Sequence, residues 1–411
     1  MSRRLEDNLK RVYALLSRGR EYGLERMQAA CAEFGHPERA FQVVHVTGTN
    51  GKGSVCAFLG AMLRATGVRT GMYTSPHLNR FAERIQVDGN PIDDDTLSSL
   101  IEEVMSRTLD LTFFEATTLL AFLAFREAKV QTVVLEVGLG GLRDATNVIP
   151  PPRIAVITRV AFDHMSELGN TLAAIASEKA GIIKTGCKVV TGRLHPDARA
   201  VIEARCAEVS AELLPLGDPE PFPGAQLAYP RMAMFGSNLA VAMTAARALG
   251  LDPQAMARGV ESTVWPGRNE LLHRSGHELT LLDCAYNPDG AVCLSHVIDA
   301  SLLGGAATRS DVALVFGAVR GKNWKSMLDR LEHTAAHRFY VAPPPAESAE
   351  DPHQMASYCS GQVVESVAQA IDRARARVGP QGLVVITGSN FLVGAARGLL
   401  LNLKSDPAAN A

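Results

Sequence analysis

The chain has 411 residues, enough for roughly two or three domains with buried cores, and 47% of them are apolar against 20% charged, which excludes wholesale disorder. Forty-one Lys and Arg against 43 Asp and Glu leave a net charge of −2, without the basic excess of a nucleic-acid binder or a polybasic membrane anchor. Any anion bound here must be held by local geometry. No segment reaches the ~18 consecutive apolar residues of a membrane span, and the N-terminal stretch is polar and amphipathic, unlike a signal peptide. The seven cysteines are an odd number without a CxxC pair. That pattern reads as reduced thiols and no zinc site, in a cytoplasmic protein.

Short apolar runs alternate with helix-period stretches, the pattern of a parallel α/β fold. Strands are expected at 42–47, 69–74, 132–137, 154–159 and 188–191. After Ser54, apolar residues at 55, 58, 59, 62 and 63 followed by Gly67 describe a helix with one buried stripe and a glycine stop. Residues 213–231 hold five prolines and two glycines and read as an irregular connector. A second series follows Trp265-Pro266-Gly267-Arg268, with strands at 279–283, 312–316, 338–341 and 383–387. Helices are expected near 291–303, 324–335, 367–378 and 391–403, and Pro343-Pro344-Pro345 opens an exposed loop. The Pro-Gly pair is a plausible hinge. It divides the chain into an N-terminal P-loop mononucleotide-binding domain with a parallel sheet, 1–267, and a smaller Rossmann-like α/β domain, 268–411.

The strongest local signal is an apolar strand running into Gly48-Thr49-Asn50-Gly51-Lys52-Gly53-Ser54 and then into the amphipathic helix. Glycines let successive N–H groups turn toward phosphate oxygens. The helix N-terminus adds partial positive charge, Lys52 a full one, and the Ser54 hydroxyl suits phosphate or Mg²⁺. The spacing departs from GxxxxGK[ST] by the extra Gly53. The segment reads as a nucleoside triphosphate site.

Glycine on both sides of the lysine, after Thr47-Gly48-Thr49-Asn50, resembles the Mur ligase superfamily, and within it the folylpolyglutamate synthase/dihydrofolate synthase family. The resemblance spans nearly the whole chain through motifs in family order. They begin with Gly23-Leu24-Glu25-Arg26-Met27, the P-loop, Tyr73-Thr74-Ser75-Pro76-His77-Leu78, Phe81-Ala82-Glu83-Arg84-Ile85 and Phe113-Phe114-Glu115. Leu135-Glu136-Val137-Gly138, Asp144-Ala145-Thr146-Asn147, Asp163-His164 and Glu178-Lys179-Ala180-Gly181 follow. Trp265-Pro266-Gly267-Arg268, Asp283 through Asn287-Pro288, and Thr387-Gly388-Ser389 complete the set.

The resemblance implies that ATP phosphorylates a substrate carboxylate and that the amino group of L-glutamate attacks the acyl phosphate. The acceptor would be folate or dihydropteroate, the cofactors ATP and two Mg²⁺ ions, and the enzyme a monomer. It implies ATP contacts from Thr49, Asn50, Gly51, Lys52, Gly53, Ser54, Asn238, Arg268 and Asp283. Mg²⁺ ligation would come from Ser75, Glu136 and His164, and folate contacts from Gly23, Leu24, Glu25, Phe113, Phe114, Glu115 and Asp144. Lys52, Lys179, His164 and Asp283 would carry the catalysis, with Lys179 modified to a carbamate. Read without the family, a strand-end Glu136 is usually a solvated or paired carboxylate, a lone His164 mostly not a ligand and Ser75 before proline usually a turn former, while one of Phe113 and Phe114 is as readily core. Lys179 falls on the buried stripe of its helix, four residues after Ile175, where an ammonium needs a partner or a changed charge.

Three positions depart from the family pattern. Tyr286 stands where Asp-x-Ala-His-Asn-Pro has histidine, and tyrosine cannot switch charge near neutrality. Met234-Phe235 precede Asn238 in place of His-Gln. Gly140-Gly141-Leu142-Arg143-Asp144 exchanges the family's Arg and Leu, which would turn Arg143 away from its usual place. Two other readings remain: a Mur-type ligase acting on a cell-wall nucleotide peptide, and a catalytically weakened nucleotide-binding homologue.

Overall fold

The computed structural model describes residues 2–19, 23–217, 229–273, 278–303 and 309–406. The chain forms two compact units: residues 1–77, 81–227 and 235–264, and residues 78–80, 228–234 and 265–411.

In the first unit the strands are β1 Gln42–Thr47, β2 Thr70–Tyr73, β3 Ile85–Val87, β4 Asn90–Pro91, β5 Thr132–Glu136, β6 Ile154–Ile157, β7 Lys188–Thr191 and β8 Glu212–Leu214. They make one sheet in the order β4-β3-β2-β5-β1-β6-β7-β8. From β2 to β8 every neighbouring pair is parallel, and the central strands are Val- and Ile-rich with both faces covered. The expectation of an all-parallel sheet needs correction at one edge, where β3 pairs antiparallel with both β2 and β4. The cause is local: Asp88 (φ 51°) and Gly89 (φ 80°) both take left-handed backbone, as a two-residue type I′ hairpin requires. The connector at 213–231 is also not irregular throughout. Leu213 and Leu214 pair with Val189 and Val190 as β8, and the helix Tyr229–Ala248 starts inside its far end. Residues 218–228 of that connector lie outside the described residues.

The second unit holds β9 Glu270–His273, β10 Leu279–Leu282, β11 Val312–Phe316, β12 His337–Tyr340, β13 Gln362–Val363 and β14 Leu383–Thr387. Their order is β13-β12-β11-β14-β10-β9, parallel except for the β9–β10 pair. Apolar side chains fill both faces of this sheet, with Leu314, Phe316 and Tyr340 on one side and Val315, Val384 and Ile386 on the other. The helix expected over 324–335 ends at Leu331 and tightens into a 3₁₀ turn, Glu332–Thr334. The loop after Pro343 is mixed and not wholly exposed: Pro343 and Ala349 are buried. No helix among the described residues is long and apolar enough to cross a membrane.

This topology gathers chain ends at one place. β1 lies between β5 and β6, and the carboxyl ends of β1, β2, β5 and β6 meet where the strand order reverses. In open α/β sheets that crevice is where ligands bind.

Candidate active site

β1 delivers the phosphate loop. Val46 stands in register with Glu136 of β5, and Thr47 with Ile157 of β6, so the loop leaves the sheet beside both strands. Thr158 clasps it from the β6 side, its hydroxyl donating to Asn50 O (2.6 Å) and Thr47 O (3.3 Å). Thr49 closes the clasp by exchanging hydrogen bonds with Ala161 N and O through its hydroxyl, at 3.0 and 3.1 Å. Gly51 has φ 86° just before the helix Lys52–Ala65, and a β-carbon there would lie 2.3 Å from Asn238 Oδ1. Glycine is required by both the conformation and the neighbour. The same contact puts Asn238, from a distant helix, over the loop.

Lys52 is the first residue of that helix, and its Nζ donates to Gly48 O (2.9 Å) and Thr49 O (3.3 Å). Gly53 follows half-buried, and Ser54 is buried one residue further into the first turn. The loop therefore offers a cation, a hydroxyl and the unpaired N–H groups of a helix N-terminus together.

Glu136 ends β5 as a buried carboxylate whose Oε2 accepts from Ser75 N (3.2 Å), two residues beyond the end of β2. His164 follows β6 in left-handed backbone (φ 48°), its amide held by Asp163 Oδ1 at 3.0 Å. Left-handed backbone at a non-glycine residue costs about 1 kcal/mol, so the His164 conformation is maintained by its surroundings. Among the described residues no cluster of three or more His, Cys, Asp or Glu has metal-holding geometry. Buried carboxylate and hydroxyl oxygens nevertheless suit Mg²⁺, which keeps waters and phosphate oxygens in its shell and needs few protein ligands.

Lys179 lies in the helix Leu172–Ala180 and is 2% exposed. Burial pushes its ammonium down to about 7, and the charge of Lys52 pushes the same way; Asp163, Asp144 and Glu178 oppose them. Arg143 does reach this helix, pairing with Glu178 at 2.9 Å.

The three segments with an expected folate role are stitched together. Arg26, next to Gly23, Leu24 and Glu25, makes a two-point ion pair with Glu115 (3.1 and 3.2 Å). Glu115 also closes a capping box with Thr112 at the start of the helix Phe113–Glu127. Phe114 covers Gly138, where a β-carbon would lie 2.4 Å from the ring. Phe113 stacks on Tyr13 with centroids 5.9 Å apart. Asp144 is buried, which raises its carboxyl above the usual range. Its Oδ1 takes the amide and hydroxyl of Thr146 (3.0 and 2.5 Å), and its Oδ2 takes Leu139 N (3.0 Å). Glu115 and Asp144 thus each have structural work that their motifs did not reveal.

In the second unit, Asp283 directly follows β10 and is buried, its Oδ2 accepting from Asn269 N at 2.9 Å. Burial raises its carboxyl, and the neighbouring Arg268 offsets part of that rise. Arg268 donates to Cys284 O (2.9 Å). Lys322 Nζ lies 4.9 Å from the centre of the Tyr286 ring, so the tyrosine at the family's histidine position takes a cation on its face. Side chains of Met234 and Phe235 lie outside the described residues. Sequence reasoning missed Thr158, whose signal was a hydroxyl residue at the end of an apolar strand, and gave no role to Arg84.

A P-loop α/β unit followed by a Rossmann-like one defines the class: an ATP-dependent ligase of Mur type. The Mur ligase middle domain matches residues 46–192, and the Mur ligase glutamate ligase domain matches residues 267–390. The dihydrofolate synthase/folylpolyglutamate synthase of Bacillus subtilis is 34% identical over 424 residues, covering 94% of this chain and 96% of the relative. The folylpolyglutamate synthase of Lacticaseibacillus casei is 34% identical over 407 residues, covering 90% and 92%. Among solved structures, E. coli FolC in complex with DHPP and ADP superposes with a TM-score of 0.85 at 29% identity, covering 97% of this chain and 98% of that one. The Yersinia pestis bifunctional enzyme complexed with AMPPNP and Mn ion gives 0.83 at 28% identity, covering 97% and 98%. The chain belongs to the folylpolyglutamate synthase/dihydrofolate synthase family.

Proposed function

We propose that this protein ligates L-glutamate to the carboxylate of a folate or dihydropteroate at the expense of ATP. The observation that carries this reading is the convergence, at the sheet's carboxyl edge, of the phosphate loop, the Ser75–Glu136 pair and the buried Lys179. The relatives favour the folate branch over cell-wall ligases, since those named above are folate enzymes.

The residues divide the work. N–H groups from Thr49 to Ser54 cradle the phosphates, Lys52 neutralises them, and Asn238 borders the nucleotide beside Gly51. The resemblance assigns ATP contacts to Arg268 and Asp283 as well. Ser75, Glu136 and His164 would hold Mg²⁺, two ions in all, whose chemistry there would be to neutralise phosphate charge. A substrate carboxylate oxygen attacks the γ-phosphorus, forming an O–P bond while the bond to the β-bridging oxygen breaks and ADP leaves. The glutamate amine then attacks the acyl carbon; the C–N bond forms, the C–O bond breaks, phosphate leaves and the amine gives up a proton. Phe113, Phe114, Asp144 and the segment Gly23, Leu24 and Glu25 form the pterin-side pocket, aromatic walls with polar anchors. The enzyme acts as a cytoplasmic monomer.

The test is ADP release with ATP, Mg²⁺, glutamate and either dihydropteroate or tetrahydrofolate. Release is expected only when glutamate and one folate acceptor are both present. Release with a UDP-muramoyl peptide in place of folate would transfer the enzyme to the cell-wall branch, and no release with any acceptor would leave a nucleotide-binding homologue.

Gly138→Ala checks the pocket. Its β-carbon must displace the Phe114 ring, so the KM for dihydropteroate should rise about tenfold, the cost of a lost or misplaced aromatic wall, with the KM for ATP unchanged. An unchanged dihydropteroate KM would place the pocket elsewhere.

A further inference from the structure

Arg84 belongs to the Phe81-Ala82-Glu83-Arg84 motif, which the reaction scheme above does not use. Its side chain is buried, with the whole residue 7% exposed. The guanidinium lies on two aromatic faces, 5.3 Å from the centre of Phe113 and 5.8 Å from that of Phe81. Its Nε donates to His77 Nδ1 at 2.8 Å. The accepting Nδ1 is therefore the unprotonated ring nitrogen, and the imidazole gives Arg84 no negative charge. Among the described residues no carboxylate comes within ion-pair distance of Arg84.

A buried guanidinium is normally paired, because an uncompensated charge in an apolar setting costs several kcal/mol. Aromatic faces recover part of that and a neutral imidazole engages one donor of five. Among the described residues nothing pairs with the planar fork that best matches a carboxylate. Its position is fixed from the backbone: Arg84 O accepts from Thr74 N at 3.0 Å, one residue before Ser75, whose amide holds Glu136. The Glu136 carboxylate is near enough to support the Arg84 charge through space. Phe113, under the guanidinium, is one of the proposed walls of the folate pocket.

We infer that Arg84 is the carboxylate-recognising residue of the folate-side substrate, holding the benzoate-type carboxylate of dihydropteroate before it is phosphorylated. The inference deepens the folate reading and rests on it. A cation at this point would select anionic acceptors over their amides and orient the attacking oxygen. Its replacement by methionine keeps the packing against Phe81 and Phe113 and removes only charge and fork.

The experiment measures direct binding, in the presence of ADP, of dihydropteroate and of its carboxamide analogue to wild type, Arg84→Met and Arg84→Lys. Wild type should prefer the carboxylate by at least about tenfold, the yield of a bidentate charge-assisted pair. Arg84→Met should bind the two ligands equally, at the carboxamide's wild-type affinity, with ADP affinity within about twofold. Arg84→Lys should recover part of the preference. Equal binding of both ligands by wild type overturns the inference without recourse to any variant, and so does an Arg84→Met protein that still discriminates. Wild type that binds neither ligand overturns the folate reading together with the inference.

Discussion

Lys52→Ala should lower kcat/KM for ATP-dependent ligation by about 10³-fold, the range seen when a preorganised stabiliser of developing charge is removed. The phosphate cradle consists otherwise of N–H dipoles, and Lys52 is its one full charge from the first unit's loop. Its Nζ is held over Gly48 and Thr49 by two carbonyls, so the charge is in place without reorganisation. The fold should not suffer. Lys52 opens its helix half-buried, alanine is the best helix former, and the loss is two part-buried hydrogen bonds to loop carbonyls. Steady-state ADP release at saturating ATP, with a thermal melt alongside, checks both halves. Turnover within a few-fold of wild type would show that the helix N-terminus alone suffices. A collapsed melting transition would make Lys52 a structural residue.

The parts of this molecule legible in the sequence are those whose signal is local. β1, β7, β11 and β14 run just where β-branched residues cluster, because strands buried on both faces need continuous apolar runs. The phosphate loop was legible since glycine spacing and an adjoining helix are its mechanism. The edge strands were not. β3 and β4 are three and two residues long, too short for periodicity, although the Asp88-Gly89 dipeptide between them was a usable turn signal. β8 was hidden by the prolines that follow it. Site chemistry divides in the same way. Glu136 and Ser75 could be placed at strand ends, but their hydrogen bond spans 61 residues of chain. The work of Asp144 on Leu139 and Thr146, and of Glu115 on Arg26, depends on which groups are left facing them once the loops pack. Arg84 stood in a motif, yet only its burial, with no carboxylate at ion-pair distance among the described residues, distinguishes it from a surface arginine.

Lys179→Ala should abolish most of the activity, by roughly 10²-fold or more, and short carboxylic acids such as acetate should restore part of it. The argument starts from the amine. An ordinary lysine near pH 10.5 is almost wholly ammonium at neutrality, whereas Lys179, pushed down to about 7 by burial and by Lys52, is in large part free amine there. The free amine is the form that reacts with CO₂: its lone pair attacks the carbon, an N–C bond forms as one C=O π pair moves onto oxygen, and the amine's proton leaves for solvent, which gives the carbamate anion. A buried cation beside Lys52 becomes an anion, which reverses the sign of its effect on nearby Mg²⁺. Unmodified Lys179 carries a linkage of defined sign. Its folded value lies below the unfolded one, so the unfolded chain binds more protons between about 7 and 10.5, and stability falls as pH drops through that window. Carbamylation removes the penalty, so added bicarbonate should raise the melting temperature of wild type near pH 7.5 and leave Lys179→Ala unmoved. Lys179→Arg should be no more active than Lys179→Ala, and acetate should not rescue it, since arginine keeps the positive charge and fills the space. Full activity in Lys179→Arg, or a bicarbonate response equal in wild type and Lys179→Ala, would return Lys179 to a packing role.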